Sequence, residues 1–333
     1  MSWPDLARVL GQPAPYRPFG LRIATLIAAW VPGAPAVTYP TIPGVDVTSL
    51  LRLAMTLPRD DLAHRVLLQT ARIAQLGSTA GALLDLQILA ECEERSIKFG
   101  RHQGEVTVVA AHPLPVPEAN DEALDEALRR TGWSAILART DQLAAECVRE
   151  VVTWDGGGDF PFSNPEEIDP ATEYGAEWAA RLEPIERTAA FELIDFDGRQ
   201  ETLTDPETDA PVVREPNGML LAAIPQWLAT FSPLAEVIVD TPIWVRTQDG
   251  TLYPAPKDEY YGLSWGSYAR SGQGSLALLI SRLLDDITAH GADSITGAPD
   301  GLEKLTQIDW PSGTVLTRAQ LEAARDGHPY VEE

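Results

Sequence analysis

Ile243-Trp-Val-Arg-Thr-Gln-Asp-Gly-Thr-Leu-Tyr253 is the stretch that decides the fold class. β-Branched and aromatic residues flank Asp249-Gly250, a turn-forming dipeptide, so residues 243–247 and 251–253 read as the two strands of a hairpin. Downstream, residues 275–290 place Leu276, Leu279, Ile280, Leu283 and Ile287 on one stripe at helical spacing. Hairpins and helices in separate runs indicate an α+β chain.

Working outward, residues 191–196 and 199–204 flank Asp197-Gly198 and predict another hairpin, with a type I′ turn. Residues 219–231 predict a helix limited by Pro225. Residues 154–183 are broken by Gly156-Gly157-Gly158, Pro161, Pro165 and Pro170 and predict an irregular loop region. A helix capped by Asn120 is expected to run to Arg130, another spans 141–152 with Leu143, Cys147 and Val151 on one face, and a last one covers 317–326. The first hundred residues read as mostly helical, over 21–31, 46–57, 59–76 and 80–99, followed by a strand over 105–111. Pro113, Pro115 and Pro117 form an extended stretch. The expected organisation is a helical domain over 1–112, a linker over 113–120, and an acidic α+β domain with short antiparallel hairpins over 121–333.

Charge follows the same division. Residues 1–110 carry a net charge of +1 and residues 111–333 one of −25, of which −13 lies in residues 154–215. Such a surface repels nucleic acid and anionic lipid, so direct nucleic-acid and membrane partners are not expected. A hydrophobic content of 44% places the chain among globular proteins, and 333 residues suit about two domains. Arg outnumbers Lys 22 to 3, as in a high-GC bacterium. Cys92 and Cys147 read as two buried thiols. The start, Met-Ser-Trp-Pro-Asp, lacks a basic region, and residues 23–31 are too short to span a bilayer, so a soluble cytoplasmic protein is expected.

Three groups of residues could bind something. Trp154, Asp155, Asp159, Trp178, Asp195, Asp197 and Glu201 would form an acidic surface with aromatic anchors for a cationic partner. Within the same region, Asp195, Asp197, Glu201, Asp205, Glu207 and Asp209 read as a solvated acidic edge. Arg270, Ser271, Gly272, Gly274 and Ser275, in the loop over 266–275, could cradle an anion or nucleotide on backbone N–H groups before a helix. Asp155, Asp159, Glu166, Glu167 and Asp169 could supply oxygen ligands to Ca²⁺ or Mg²⁺, the alternative to a chain with no cofactor. The five histidines share no i, i+4 step, and no catalytic motif stands out.

Trp265-Gly266, Ser271-Gly272 and Leu276-Ala277-Leu278 resemble a small uncharacterised domain of actinobacterial and phage proteins. Its pattern is Trp-Gly-Tyr-Gly-Gly-Ser-Gly-Pro, two residues, then Leu-Ala-Leu, and the likeness covers residues 243–287. Here one residue is inserted, Ala269-Arg270 stand for two glycines, and Gln273 replaces the proline. The resemblance implies a hairpin–loop–helix unit and a phage or mobile-element setting, with no activity attached. Together these features lead to the expectation of an acidic protein–protein interaction protein, of adaptor, inhibitor or immunity type, that meets a basic partner. An enzyme or nucleotide- or metal-binding protein using the 266–275 loop is one alternative. A structural component of a phage or other assembly is the other.

Overall fold

The computed structural model describes residues 36–38, 47–74, 105–107, 124–153, 159–195, 200–267 and 270–328. The chain divides into two compact units, Met1–Leu124 and Asp125–Glu333. The expected linker over 113–120, the helices over 21–31 and 80–99, and Asp197-Gly198 lie outside the described residues, as does Cys92.

In the first unit, helix α1 (Thr48–Ala54) and helix α2 (residues 62–74) bury Leu50, Leu53, Val66, Leu67 and Ala71. His64 Nδ1 donates to the Ala54 carbonyl at 2.8 Å and ties the two helices together. Strands β1 (Ala36–Thr38) and β2 (Glu105–Thr107) pair in parallel.

The second unit is α+β. Helix α3 (Glu126–Leu137) and helix α4 (Gln142–Val152) are capped by the side chains of Asp125 and Asp141. The first of these starts later and ends later than the residues around Asn120 suggest: an Asp at the N-cap satisfies an orphan backbone N–H, and the buried Trp133, Ile136 and Leu137 prolong the helix. Strand β3 (Phe162–Ile168) and helix α5 (Glu173–Ala179) occupy the stretch expected to be irregular. β3 is an edge strand, and its register shifts between Ser163 and Glu166, where Pro165 sits without breaking a ladder.

A five-stranded antiparallel sheet follows, ordered β3-β7-β6-β5-β4, with β4 (Glu183–Pro184), β5 (Glu201–Asp205), β6 (Ala210–Arg214) and β7 (Leu220–Pro225). Residues 191–195 do not form the expected strand. Residues 189–193 make a 3₁₀ turn, which puts Glu192 and Asp195 on one side, inward toward arginines. Residues 219–231 are likewise not a helix. Leu220–Pro225 is a central strand buried on both faces, and such strands read as continuous apolar runs with no alternation to betray them.

The second sheet, ordered β10-β9-β8-β11, holds β8 (Leu234–Val239), β9 (Trp244–Thr247), β10 (Leu252–Pro254) and β11 (Thr314–Thr317). The expected β9–β10 hairpin is present, with Gly250 N donating to the Thr247 carbonyl at 2.9 Å and Gly250 at φ 92°. Period-two alternation sends Ile238, Trp244 and Leu252 toward Ile168, Leu203, Val212, Leu220 and Ala222 of the first sheet, with Trp178 of α5 among them. The intervening Val237, Val239, Val245 and Tyr253 pack on helices α6 (Arg270–Asp285), α7 (Asp300–Thr306) and α8 (Arg318–Arg325). The 3₁₀ turn lies against β6, α3 and α4, so helices also line the outer side of the first sheet. The result is four layers with two sheets inside. The expected last helix is present, capped by Thr317 in a reciprocal capping box with Gln320.

Candidate binding site

Among the described residues, those expected to form an acidic surface do not form one. Trp178 is 1% exposed, its ring tilted by 52° and centred 6.1 Å from that of Trp244 between the sheets, and it presents nothing to a partner. Its indole Nε1 donates to Asp205 Oδ2 at 2.9 Å. The Arg181 guanidinium reaches both oxygens of that carboxylate, Nε to Oδ1 at 2.8 Å and Nη2 to Oδ2 at 2.6 Å, donates to the Leu252 carbonyl at 2.5 Å, and lies 5.2 Å above the Tyr253 ring. Asp205 is fully buried, so it is no part of a solvated edge. Asp195 is buried as well: Arg187 Nη1 donates to its Oδ2 at 2.9 Å, and Arg149 Nε donates to the neighbouring Glu192 at 2.9 Å. Asp159 pairs with Arg129 at 2.7 Å, and Glu201 with Arg214 at 3.0 Å across β5–β6. Trp154, Asp155 and Asp197 lie outside the described residues.

The proposed anion loop is also reinterpreted. Arg270 and Ser271 open α6, and Gly272, Gly274 and Ser275 lie within it, so their amides belong to a helix. A methyl on Gly274 would run into the Ile295 carbonyl, and one on Gly272 into Ser264. These glycines let a neighbouring backbone approach the helix. Ser267 N, just upstream, donates to Asp309 Oδ1 at 2.7 Å, so the anion at this loop is the chain's own carboxylate. Oxygen ligands for a metal do not converge either. Asp159 and Glu166 face basic partners, Asp169 accepts the Ala171 N–H at 2.8 Å, and no group of three or more His, Cys, Asp or Glu among the described residues could hold an ion. Burial pushes the Cys147 thiol up to about 12, with Glu150 adding to it, which leaves the sulfur unreactive. Among the described residues no helix is long and apolar enough to cross a membrane.

What the fold does assemble is a cleft of about 70 Å³ where the two sheets and the loop before α6 meet. Its apolar walls are Ile224 at the end of β7, Ile243, Pro254 and Ala255 beside β9 and β10, and Leu263 and Trp265 of the loop. Glu166 of β3 and Asp240 in the β8–β9 turn supply two carboxylates. Each of these polar walls is held. Trp265 Nε1 donates to the Trp310 carbonyl at 3.0 Å. Asp240 Oδ1 accepts the Thr241 N–H at 2.9 Å and the Ser312 hydroxyl. Glu166 Oε1 takes Lys257 Nζ at 2.5 Å, and the lysine is 8% exposed.

The surroundings are acidic and aromatic. Burial pushes the Tyr174 phenol up, and the charges of Glu173, Asp240 and Glu236 add to that shift while Arg246 opposes it. Hydrogen bonds from Arg246, at 2.5 and 2.9 Å, hold Glu177 below the usual carboxylate range. The loop that carries Trp265 begins Asp258-Glu259-Tyr260-Tyr261 and exposes Tyr260 by 61%. Elsewhere, Trp227 stacks on His290 at 4.9 Å under Arg130, and burial together with Arg130 and Arg282 pushes His290 down to about 4.

Of the cleft residues, Trp265 and Glu166 stand in stretches that the sequence marks, for other reasons. Asp240, Thr241 and Pro242 carry no signal beyond a turn, because the cleft joins segments from β3 to the loop before α6. No family model, curated protein or solved structure matches the chain.

Proposed function

We propose that the chain is an acidic protein–protein interaction protein that meets a basic partner through the face around Tyr174, Asp240 and the 258–267 loop. The observation that carries this reading is the meeting of a partly exposed Trp265 with the carboxylates Glu166 and Asp240 at one cleft, on a loop that also exposes Tyr260. Glu166, Glu173, Glu177, Glu236 and Asp240 are set here against Lys257 and Arg246. Aromatic rings at a charged rim are the composition of binding faces, and excess negative charge steers a basic partner toward them.

The test uses a fluorescein-labelled peptide of alternating arginine and glycine, with an alternating glutamate–glycine peptide as control. Anisotropy should report binding of the basic peptide at about 50 mM salt and its loss at about 500 mM, as screening shortens the reach of the charges. Equal anisotropy for the two peptides at low salt ends this reading.

A further inference from the structure

The geometry points to the Trp265 cleft as a receptor for one arginine side chain of that partner. The inference rests on the interaction reading above and names its anchor.

The chain contains its own template for such a site. Arg181 is held by a carboxylate, an aromatic face and a backbone carbonyl: Asp205 at 2.6 and 2.8 Å, Tyr253 at 5.2 Å, and Leu252 O at 2.5 Å. The cleft brings the same kinds of group to one lining, the carboxylates Glu166 and Asp240, the Trp265 indole and apolar Leu263 and Ile243, with no arginine among the described residues that line it. Charge fits a single monovalent cation. Lys257 offsets one of the two carboxylates, which leaves one negative charge. A carboxylate has about four lone-pair positions, so the pairing to Lys257 does not saturate Glu166. Size fits as well. A space of about 70 Å³ equals roughly two waters at ~30 Å³ each, about the size of a planar guanidinium head. Arginine is favoured over lysine because its flat, weakly hydrated head stacks on an indole while its forked N–H groups reach two acids.

The first experiment titrates the whole chain with ethylguanidinium and follows the indole N–H of Trp265 by NMR, assigned by its loss in Trp265→Phe. A saturable shift is expected, weaker with ethylammonium and about threefold weaker in Asp240→Asn. A linear response, or saturation unchanged in Asp240→Asn, overturns the site. The second experiment returns to the arginine–glycine peptide. If the peptide binds wild type and Asp240→Asn equally, the cleft is not the anchor, and the acidic-face reading stands without it. If ethylguanidinium saturates Trp265 while the peptide does not bind, the assignment to a protein partner is overturned and that reading falls with it. Asp240→Asn is preferred to Glu166→Gln, which would strand the buried Lys257. Unchanged circular dichroism confirms that the variant is folded.

Discussion

Two acid–aromatic sites in the second unit invite comparison. At one, Asp205 faces Arg181 and Tyr253 in the seam between the sheets, and the chain supplies its own cation. At the other, Asp240, Glu166 and Trp265 line one cleft, with no arginine among the described residues there. The groups are alike, but their burial and their partners differ. A carboxylate with no access to water must be paired from within the fold, since an isolated buried charge costs several kcal/mol. A carboxylate at the mouth of a cleft keeps water as an alternative and can exchange it for a ligand. Interior acid is therefore structural here, and rim acid is available for recognition.

The largest effect expected is at the seam. Asp205→Ala strands the Arg181 guanidinium and the Trp178 N–H, and should cost about 3–5 kcal/mol in urea unfolding. Replacing both partners, as in Arg181→Met with Asp205→Leu, should cost less than half of that, because no charge is left unpaired. A cost for Asp205→Ala no greater than that of the exposed Glu201→Ala would break the comparison.

Next in size is Gly274→Ala. Its methyl would meet the Ile295 carbonyl, so a loss of about 1–3 kcal/mol is expected. A flexible anion-binding loop would instead gain stability from the substitution, by about 0.4–1 kcal/mol.

His290 gives a smaller, pH-dependent effect. Its folded pKa of about 4 lies below the ordinary 6.5, so the unfolded chain binds more protons between those values. This contribution is level above pH 6.5 and is lost progressively as pH falls to about 4. After solvent screening it should amount to roughly 1 kcal/mol, or about 3 °C in Tm. Other acids titrate in the same window, so the measurement is the difference between wild type and His290→Gln. Parallel Tm–pH curves for the two would remove the effect.

The smallest stability change is expected for Asp240→Asn, within about 0.5 kcal/mol, because the rim residue strands no buried charge. Set beside Asp205→Ala, the same loss of one carboxylate charge should separate the two sites by several kcal/mol. Equal losses would mean that the rim acid is structural too.

Local signals were readable in particular elements. Asp249-Gly250 marked the β9–β10 hairpin and the Leu276–Leu283 stripe marked α6, because turn chemistry and helical periodicity act over a few residues. The failures share one cause. Leu220–Pro225 looked helical because a strand buried on both faces has no alternation. Residues 191–196 looked like a strand because Asp197-Gly198 follows them, yet their acids were drawn inward by Arg187. Gly272 and Gly274 looked like a loop because the sequence cannot display Ile295 pressing on that turn. For the site, Trp178 stood in the acidic stretch but belonged to the core, and Asp240 stood in an unremarkable turn but lined the cleft.

By itself, the sequence determined the α+β class, the acidity of the second part and the places of its hairpin and late helices, since composition and short-range periodicity are local properties. Only the tertiary structure decided which carboxylates would be spent inside the fold and which would remain at its edge. That sorting depends on where two sheets close on each other and which arginine reaches across the seam, contacts set by residues dozens of positions apart in the chain.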